Sequence, residues 1–454
     1  MDIFRATERK AIEMTPEQDF VMRTIESRNV RFVRLWFTDV LGTMKSFAVS
    51  PSEIEGAFEH GMGFDGSCVA GFSPTEESDM LAYPDPNTFQ VLPWRPSEDA
   101  VARMFCTIRT PDGKAYEGDS RHVLSRMVDK VIEKGYVSNM GPELEYYYFK
   151  DPSGTEVLDQ GGYFDLTSLD QASDLRRDTV LTLEKLGIPV EYSHHESGPS
   201  QHEIDLRFAD ALSMADAVMT YKLVVKEIAM GHGVYASFMP KPLEDAPGSG
   251  MHVHQSLFDL DGNNVFFDES DPSGCNLSDI AKHYIAGILK YAPEFCLVTN
   301  QYVNSYKRLV AAGEAPTAVT WARANRSALV RIPGYRPTVP EACRVELRNP
   351  DPAANPYLAF AAMLAAGMAG IEEDLELSDS VESLNLFNEG ASTKHKMLPT
   401  NLGDAVKLFE ESELMRETFG EHIHSFLVNA KKTEWEAYLK HVSSWELDRY
   451  LSVL

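Results

Sequence analysis

The chain has 454 residues, 43% of them hydrophobic and 24% charged, enough for two or three domains around a large core. Its formal charge of −27 argues against a nucleic-acid surface and against attraction to anionic lipid. Five scattered cysteines (Cys68, Cys106, Cys275, Cys296, Cys343) form no C-x-x-C pair, and the charged start lacks an apolar run; reduced thiols and a cytoplasmic location are expected.

Residues 15 to 28 read as a short amphipathic helix. "VRFVRLWFTDVLGTMKSFAV" reads as two strands joined near Asp39 to Gly42. A Gly- and Asp-rich loop, "GMGFDGSCVAGF", follows, and then the strand-like pieces "TFQVLPW" and "VARMFCTIR". The turn-rich "TPDGKAYEGDSR" marks a boundary, with the helix "RHVLSRMVDKVIEKG" behind it. "GPELEYYYF", residues 141 to 149, is β-prone, and "DALSMADAVMTYKLVVKEIAMGHG" is helical. The longest apolar run, "YLAFAAMLAAGMAGI", is too short to span a bilayer and reads as a buried helix opened by Asn355-Pro356. The last third is helical and charged, and its end, "SSWELDRYLSVL", is an amphipathic tail suited to docking on a neighbour.

Four of these segments alternate ionisable with apolar residues. Glu143 and Glu145 are two apart, so on a strand both carboxylates face one side. "VEYSHHESGPSQHEID" gathers Glu191, His194, His195, Glu196, His202, Glu203 and Asp205. "PGSGMHVHQS" adds His252 and His254, and "CRVELRNPDP" adds Glu346 between Arg344 and Arg348. One such strand alone fits a solvated edge. Four together describe an acidic sheet face that is tolerable only with cations on it. Carboxylates with an imidazole suit magnesium or manganese better than zinc. Several such ligands around more than one ion also suit phosphoryl transfer.

Between Tyr306 and Arg336 the chain carries Arg308, Arg323, Arg326, Arg331 and Arg336 against a single acid, Glu314. Guanidinium forks beside a metal–carboxylate site fit phosphates and a substrate carboxylate. The residues themselves therefore point to a metal-dependent enzyme that handles ATP-like phosphates.

With "FDGS", "GPELEYYYF", "HHESGPSQHEID", "MPKP", "GSGMHVHQS", "NSYKRLVAAGEAPTA", "ANRSALVRIP" and "VELRNPDPAANPYLAF" in this order, the chain resembles bacterial type I glutamine synthetase from about residue 17 to its end. The resemblance implies an α+β fold. A small N-terminal β-grasp-like domain (15–115) closes the neighbouring subunit's active site. A glutamine synthetase/guanido kinase-type catalytic domain (119–454) follows, built on an antiparallel sheet with helices. It implies two or three Mg²⁺ or Mn²⁺ ions, ATP as co-substrate, and a dodecamer of two hexameric rings. Glu145, Glu196 and Glu203 match the ligands of one ion; Glu143, His252 and Glu346 match those of the ion on the ATP phosphates. Gly248, Arg308, Glu314 and Arg348 match the glutamate site. Glu191, His254, Ser256, Arg326, Arg331 and Arg344 match nucleotide and phosphate contacts. Asp65 matches the base that deprotonates the amine, with Cys68, Tyr163 and Glu196 around it, and Glu314 lies in the flap that closes the site. The implied reaction forms γ-glutamyl phosphate and then glutamine, with no nucleic-acid or membrane partner.

Three departures stand out, the third of them, in regulation, at two positions. Cys68 replaces a hydroxyl after "FDGS", and Pro247 replaces an Asn in the glutamate loop, where a donor is lost and the chain stiffened. Both leave room for an alternative, a γ-glutamylpolyamine synthetase or other glutamate–amine ligase. Phe387 stands where an adenylylated subgroup has Tyr, and Pro74 where a feedback-inhibited subgroup has Arg. Two further readings are disfavoured: an inactive binding protein by the filled ligand positions, and a guanidino kinase by the intact "HHE…QHE" window and the β-rich N-terminal region.

Overall fold

The structure, a computed structural model, describes residues 14–72, 78–310, 315–336, 338–387 and 394–454; Pro74 and Glu314 lie outside them. The chain divides into two compact units. The first comprises the segments ending at Phe37 and Tyr116 together with Met44–Cys68; Thr38–Thr43, Val69–Phe72 and Glu117–Leu454 form the second.

The first unit opens with α1 (Pro16–Ser27), fixed by a capping box in which Thr15 and Gln18 each accept the other's backbone N–H. Then come β1 (Val30–Thr38), β2 (Met44–Val49), α2 (Ile54–His60), β3 (Met62–Asp65), β4 (Asp79–Pro84), β5 (Gln90–Val91) and β6 (Ala100–Arg109). The sheet order is β2-β1-β6-β4-β3, with β1 parallel to β6. Val33, Leu35, Ala102 and Met104 fill its core. The expected strand "TFQVLPW" shrinks to two residues. Asp85 caps a 3-10 turn, Pro86–Thr88, and that turn takes up the start of the run.

The second unit contains α3 (Ser120–Glu133), β7 (Tyr136–Phe149), α4 (Ser173–Lys185), β8 (Val190–His195), β9 (Gln201–Leu206), β10 (Ala209–Asp210), α5 (Ala211–Gly231) and β11 (Tyr235–Ser237). It continues with β12 (Met251–Asp259), α6 (Asp279–Thr299), α7 (Ser305–Arg308), β13 (Trp321–Ala322), β14 (Val330–Arg331), β15 (Val345–Leu347) and α8 (Pro356–Glu372). Helices Leu402–Glu411, Glu413–Leu439 and Ser444–Tyr450 complete it. A nine-stranded sheet runs β13-β14-β15-β12-β7-β9-β8, with β10 and β11 also on β7. It is antiparallel as expected except at the short β13–β14 pair, which is parallel.

The tyrosine run resolves by alternation. Leu144, Tyr146 and Tyr148 take one face of β7 and are fully buried, with Tyr146 against Tyr221 of α5 and the Tyr221 hydroxyl donating to Leu144 O at 3.1 Å. Glu143 and Glu145 are left on the other face. Behind the sheet, α6 and α8 cross with their backbones touching: a Cβ on Gly287 would lie 2.1 Å from Ala366 O, and one on Gly370 2.2 Å from His283 O. Asn355 caps α8 through Tyr357 N, and Pro356 follows at the first helical position, as its sequence suggests. No helix among the described residues is long and apolar enough to cross a membrane.

Candidate active site

Strand register assembles the acidic face. Across β7–β9, Glu143 stands opposite Asp205 and Glu145 opposite Glu203. On the other side His252 of β12 faces Glu143, and Glu346 of β15 faces His254. Arg331 of β14 pairs with Glu346, and on β8 His194 and Tyr192 stand opposite Glu203 and Asp205. On β7, β8, β9 and β12 the successive members are two residues apart, so none of these could leave this face without a register slip. A bulge in β8 between Val190 and Tyr192 frees Glu191 from the ladder.

The contacts divide the face into two halves. In the first, His254 Nε2 lies 2.5 Å from Glu143 Oε1, and His252 Nδ1 lies 3.3 Å from Glu143 Oε2 and 3.8 Å from Glu346 Oε1. Arg331 reaches Glu346 Oε2 at 2.8 Å, and Arg348 bonds Oε1 of the same carboxylate. Burial would raise both carboxyl pKa values. For Glu143 the neighbouring His254 and His252, and for Glu346 the neighbouring Arg348 and His254, outweigh it and hold the group low. Arg344 donates Nε to His254 Nδ1 at 3.2 Å; the proton of this ring therefore sits on Nε2, toward Glu143.

In the second half no arginine is ion-paired to the carboxylates among the described residues. His194 Nε2 is 3.5 Å from Glu196 and 3.6 Å from Glu203, and burial lowers its pKa. Burial and the Glu196 charge push Glu145 up to about 8, against the opposing pull of Arg308. Burial, Asp205 and Glu145 push Glu203 well up, and burial with Glu143 pushes Asp205 up to about 8. Carboxylates crowded this way ionise together only around cations. Ligand atoms close enough to share an ion occur in three sets here: Glu143, His254 and Glu346; Glu143, Glu203 and His252; and His194, Glu196 and Glu203. Oxygen-rich sets with one imidazole each fit hard divalent ions.

The other two histidines of the window turn to the opposite face. His195 binds Asp159 Oδ1 through Nε2 at 3.0 Å and the Glu196 carbonyl through Nδ1 at 2.7 Å. Arg176 donates to His202 Nδ1 at 2.8 Å while paired with Asp170. Asp159, His195 and His202 could geometrically share an ion, but the guanidinium beside them makes this a hydrogen-bonded brace behind Glu196.

Around the face, the loop before β12 holds Glu145: Gly250 N and Gln201 Nε2 both donate to its Oε2 at 3.0 Å. A Cβ on Gly250 would fall 2.5 Å from an Arg308 guanidinium nitrogen, so glycine lets this loop close on Arg308. Arg308 donates to Asn349 O at 2.7 Å and to Pro350 O. Gly248 O accepts from Gln201, and Pro247 O accepts from the Tyr147 hydroxyl at 2.7 Å. Ser256 is nearly buried farther along β12, and Tyr163, half exposed, lies against Arg326 and over His194. Asp65 and Cys68 belong to the first unit, both exposed, with Asp65 taking the Ser67 N–H at the end of β3. Gln201, Tyr192 and the roles of His194 and Asp205 were missed by sequence reasoning, although the two-residue spacing of Tyr192 from His194 and of Glu203 from Asp205 carried the signal.

The family profile described as "Glutamine synthetase, beta-Grasp domain" matches residues 29–111, and "Glutamine synthetase, catalytic domain" matches residues 117–450. A glutamine synthetase of Mycolicibacterium smegmatis is 52% identical over 450 residues, covering 97% of this chain and 100% of that protein. One of Methanosarcina mazei is 48% identical over 448 residues, covering 97% and 98%. A solved structure described as "GmaS/ADP complex-Conformation 1" superposes with a TM-score of 0.87 at 30% identity, covering 95% of this chain and 99% of that one. The chain belongs to the glutamine synthetase family, with the β-grasp and catalytic domains of that family in order.

Proposed function

We propose that the acidic sheet face is where glutamate is activated by ATP and amidated, and that the residues divide the work by halves. The protein is a glutamate–ammonia ligase, joining ammonia to the glutamate side-chain carboxylate with ATP as the driving substrate. Glu145, Glu196 and Glu203, with His194 beside them, hold one divalent ion, and Glu143, His252 and Glu346 hold another, Mg²⁺ or Mn²⁺. Such ions supply positive charge to phosphate oxygens and to the attacking carboxylate. His254, whose Nε2 proton is committed to Glu143 and whose Nδ1 accepts from Arg344, orients that carboxylate beside the nucleotide, with Ser256 and Glu191 near it.

Arg308 and Arg348 receive the glutamate carboxylates with the Gly248 loop. Arg326, Arg331 and Arg344 surround the phosphates as charge builds there. Arg331 Nε is buried without a hydrogen-bond partner among the described residues, a gap that a phosphate oxygen fills. Ammonium must lose a proton before it attacks; Asp65 takes it, near Tyr163 and Cys68, with Glu314 in the closing flap. In this reading Asp65 of one subunit serves the site of the next, within a dodecamer of two rings in the cytoplasm.

The observation that carries the reading is the crowding of Glu145, Glu203 and Asp205 on one buried sheet face, with no arginine ion-paired to them among the described residues, in a chain 52% identical to a glutamine synthetase. A larger amine as nucleophile is the second reading, favoured by the exposed Cys68 thiol. Phosphate release from ATP and glutamate with Mg²⁺, with ammonium and with putrescine, separates the two. Ammonium-dependent release with glutamine formed supports the first; release driven by putrescine alone supports the second.

A further inference from the structure

Asp205 stands outside both proposed ligand sets, yet it is 4% exposed on the same sheet face. It faces Glu143 across β7–β9 and is two residues from Glu203, one residue from each set. Its Oδ1 is buried with no hydrogen-bond partner among the described residues. The neighbouring groups that bear on it most are Glu143, the Tyr192 hydroxyl, Glu203 and Glu191, three of them acidic and none cationic. A carboxylate placed so needs a positive charge that the described side chains do not supply. Its two carboxylate neighbours on this face, Glu143 and Glu203, each already belong to a cation set.

We propose that Asp205 is a further cation-binding carboxylate, shared between the two halves, that sets the affinity of the divalent ions and couples their binding. This rests on the reading of the face as a divalent-ion site. A structural alternative exists in which Asp205 serves only as the acceptor for Tyr192 and anchors the β8 bulge. Asparagine separates the two, because Asp205→Asn keeps the shape and the acceptor for Tyr192 and removes the charge.

The test titrates Mn²⁺ into full-length, chelator-stripped protein, with free Mn²⁺ read by electron paramagnetic resonance, and follows thermal unfolding with and without Mn²⁺. Wild type is expected to bind. D205N is expected to weaken at least one Mn²⁺ by about tenfold or more, while its melting temperature in chelator equals or exceeds that of wild type. D205S is expected to do the same and stands in if D205N does not fold. Mn²⁺ affinity of the folded variant within about twofold of wild type, or a loss of melting temperature as large in chelator as in Mn²⁺, overturns the proposal. Failure of wild type to bind Mn²⁺ overturns instead the divalent-ion reading on which it rests.

Discussion

Glu346 illustrates how one residue carries both stability and chemistry. It is 1% exposed and neutralises two guanidinium groups, Arg331 and Arg348. Removing one member of a buried ion pair leaves the others uncompensated and costs about 3–5 kcal/mol. Glu346→Gln is therefore expected to lower stability by about 3 kcal/mol in chemical denaturation and to remove activity; an unchanged denaturation midpoint would mean that the arginines do not depend on it. The carboxyls of the other half make a pH prediction. Glu145 rises from its ordinary 4.5, and Asp205 from 3.8, each to about 8 in the folded, ion-free protein. Between those values the folded state binds more protons than the unfolded one, so stability falls as pH rises. Chelated protein should lose melting temperature from about pH 5 to pH 8, and saturating Mg²⁺ should flatten that loss while releasing protons. A chelated melting temperature that rises across the interval contradicts the placement of these groups. At this scale the sequence was informative wherever alternation was unbroken: Glu143 with Glu145, and His252 with His254, were legible as one face. The partition into a half with arginines ion-paired to a carboxylate and a half without them was not, since it depends on which strands are neighbours and on where Arg331 and Arg348 point.

Among the elements, β7 and α8 do the most to position the site. Asn355 caps α8 and its Nδ2 also donates to Asp39 O, Val40 O and Ser120 Oγ, so one amide joins three segments of the second unit. Cap loss alone costs about 1 kcal/mol. Asn355→Ala should cost about 2 kcal/mol or more, because buried acceptors lose their donor; a cost under about 0.5 kcal/mol would show that water replaces it. The cap and Pro356 were readable in the sequence because they act locally. The backbone contact of α6 with α8 was not, since Gly287 and Gly370 gain their meaning only from Ala366 O and His283 O, far along the chain. "TFQVLPW" failed for the converse reason: a side-chain cap from Asp85, just outside the apolar run, outcompeted its strand pattern.

For the whole molecule, the C-terminal helix Ser444–Tyr450 and the residues after it leave Trp445, Leu451 and Leu454 at 57%, 76% and 99% exposure. Apolar residues so exposed at a chain end suit a surface on another subunit. In the proposed dodecamer, deleting residues 443–454 is expected to lower the mass seen by light scattering below that of the full-length protein, and an unchanged mass would contradict a role for the tail in assembly. The family, its two domains and their order were legible from co-linear motifs, because the ligand-bearing residues lie on strands as short alternating runs that read in order along the chain. Cys68 and Pro247 leave the identity of the nucleophile as the point on which the account depends. The most direct measurement is phosphate release from ATP and L-glutamate with Mg²⁺, run with ammonium, putrescine, spermidine, ethanolamine or no amine, with the amide product identified by mass. The account predicts fastest release with ammonium and glutamine as the product. Release near the blank with ammonium and rapid with one of the larger amines would contradict it.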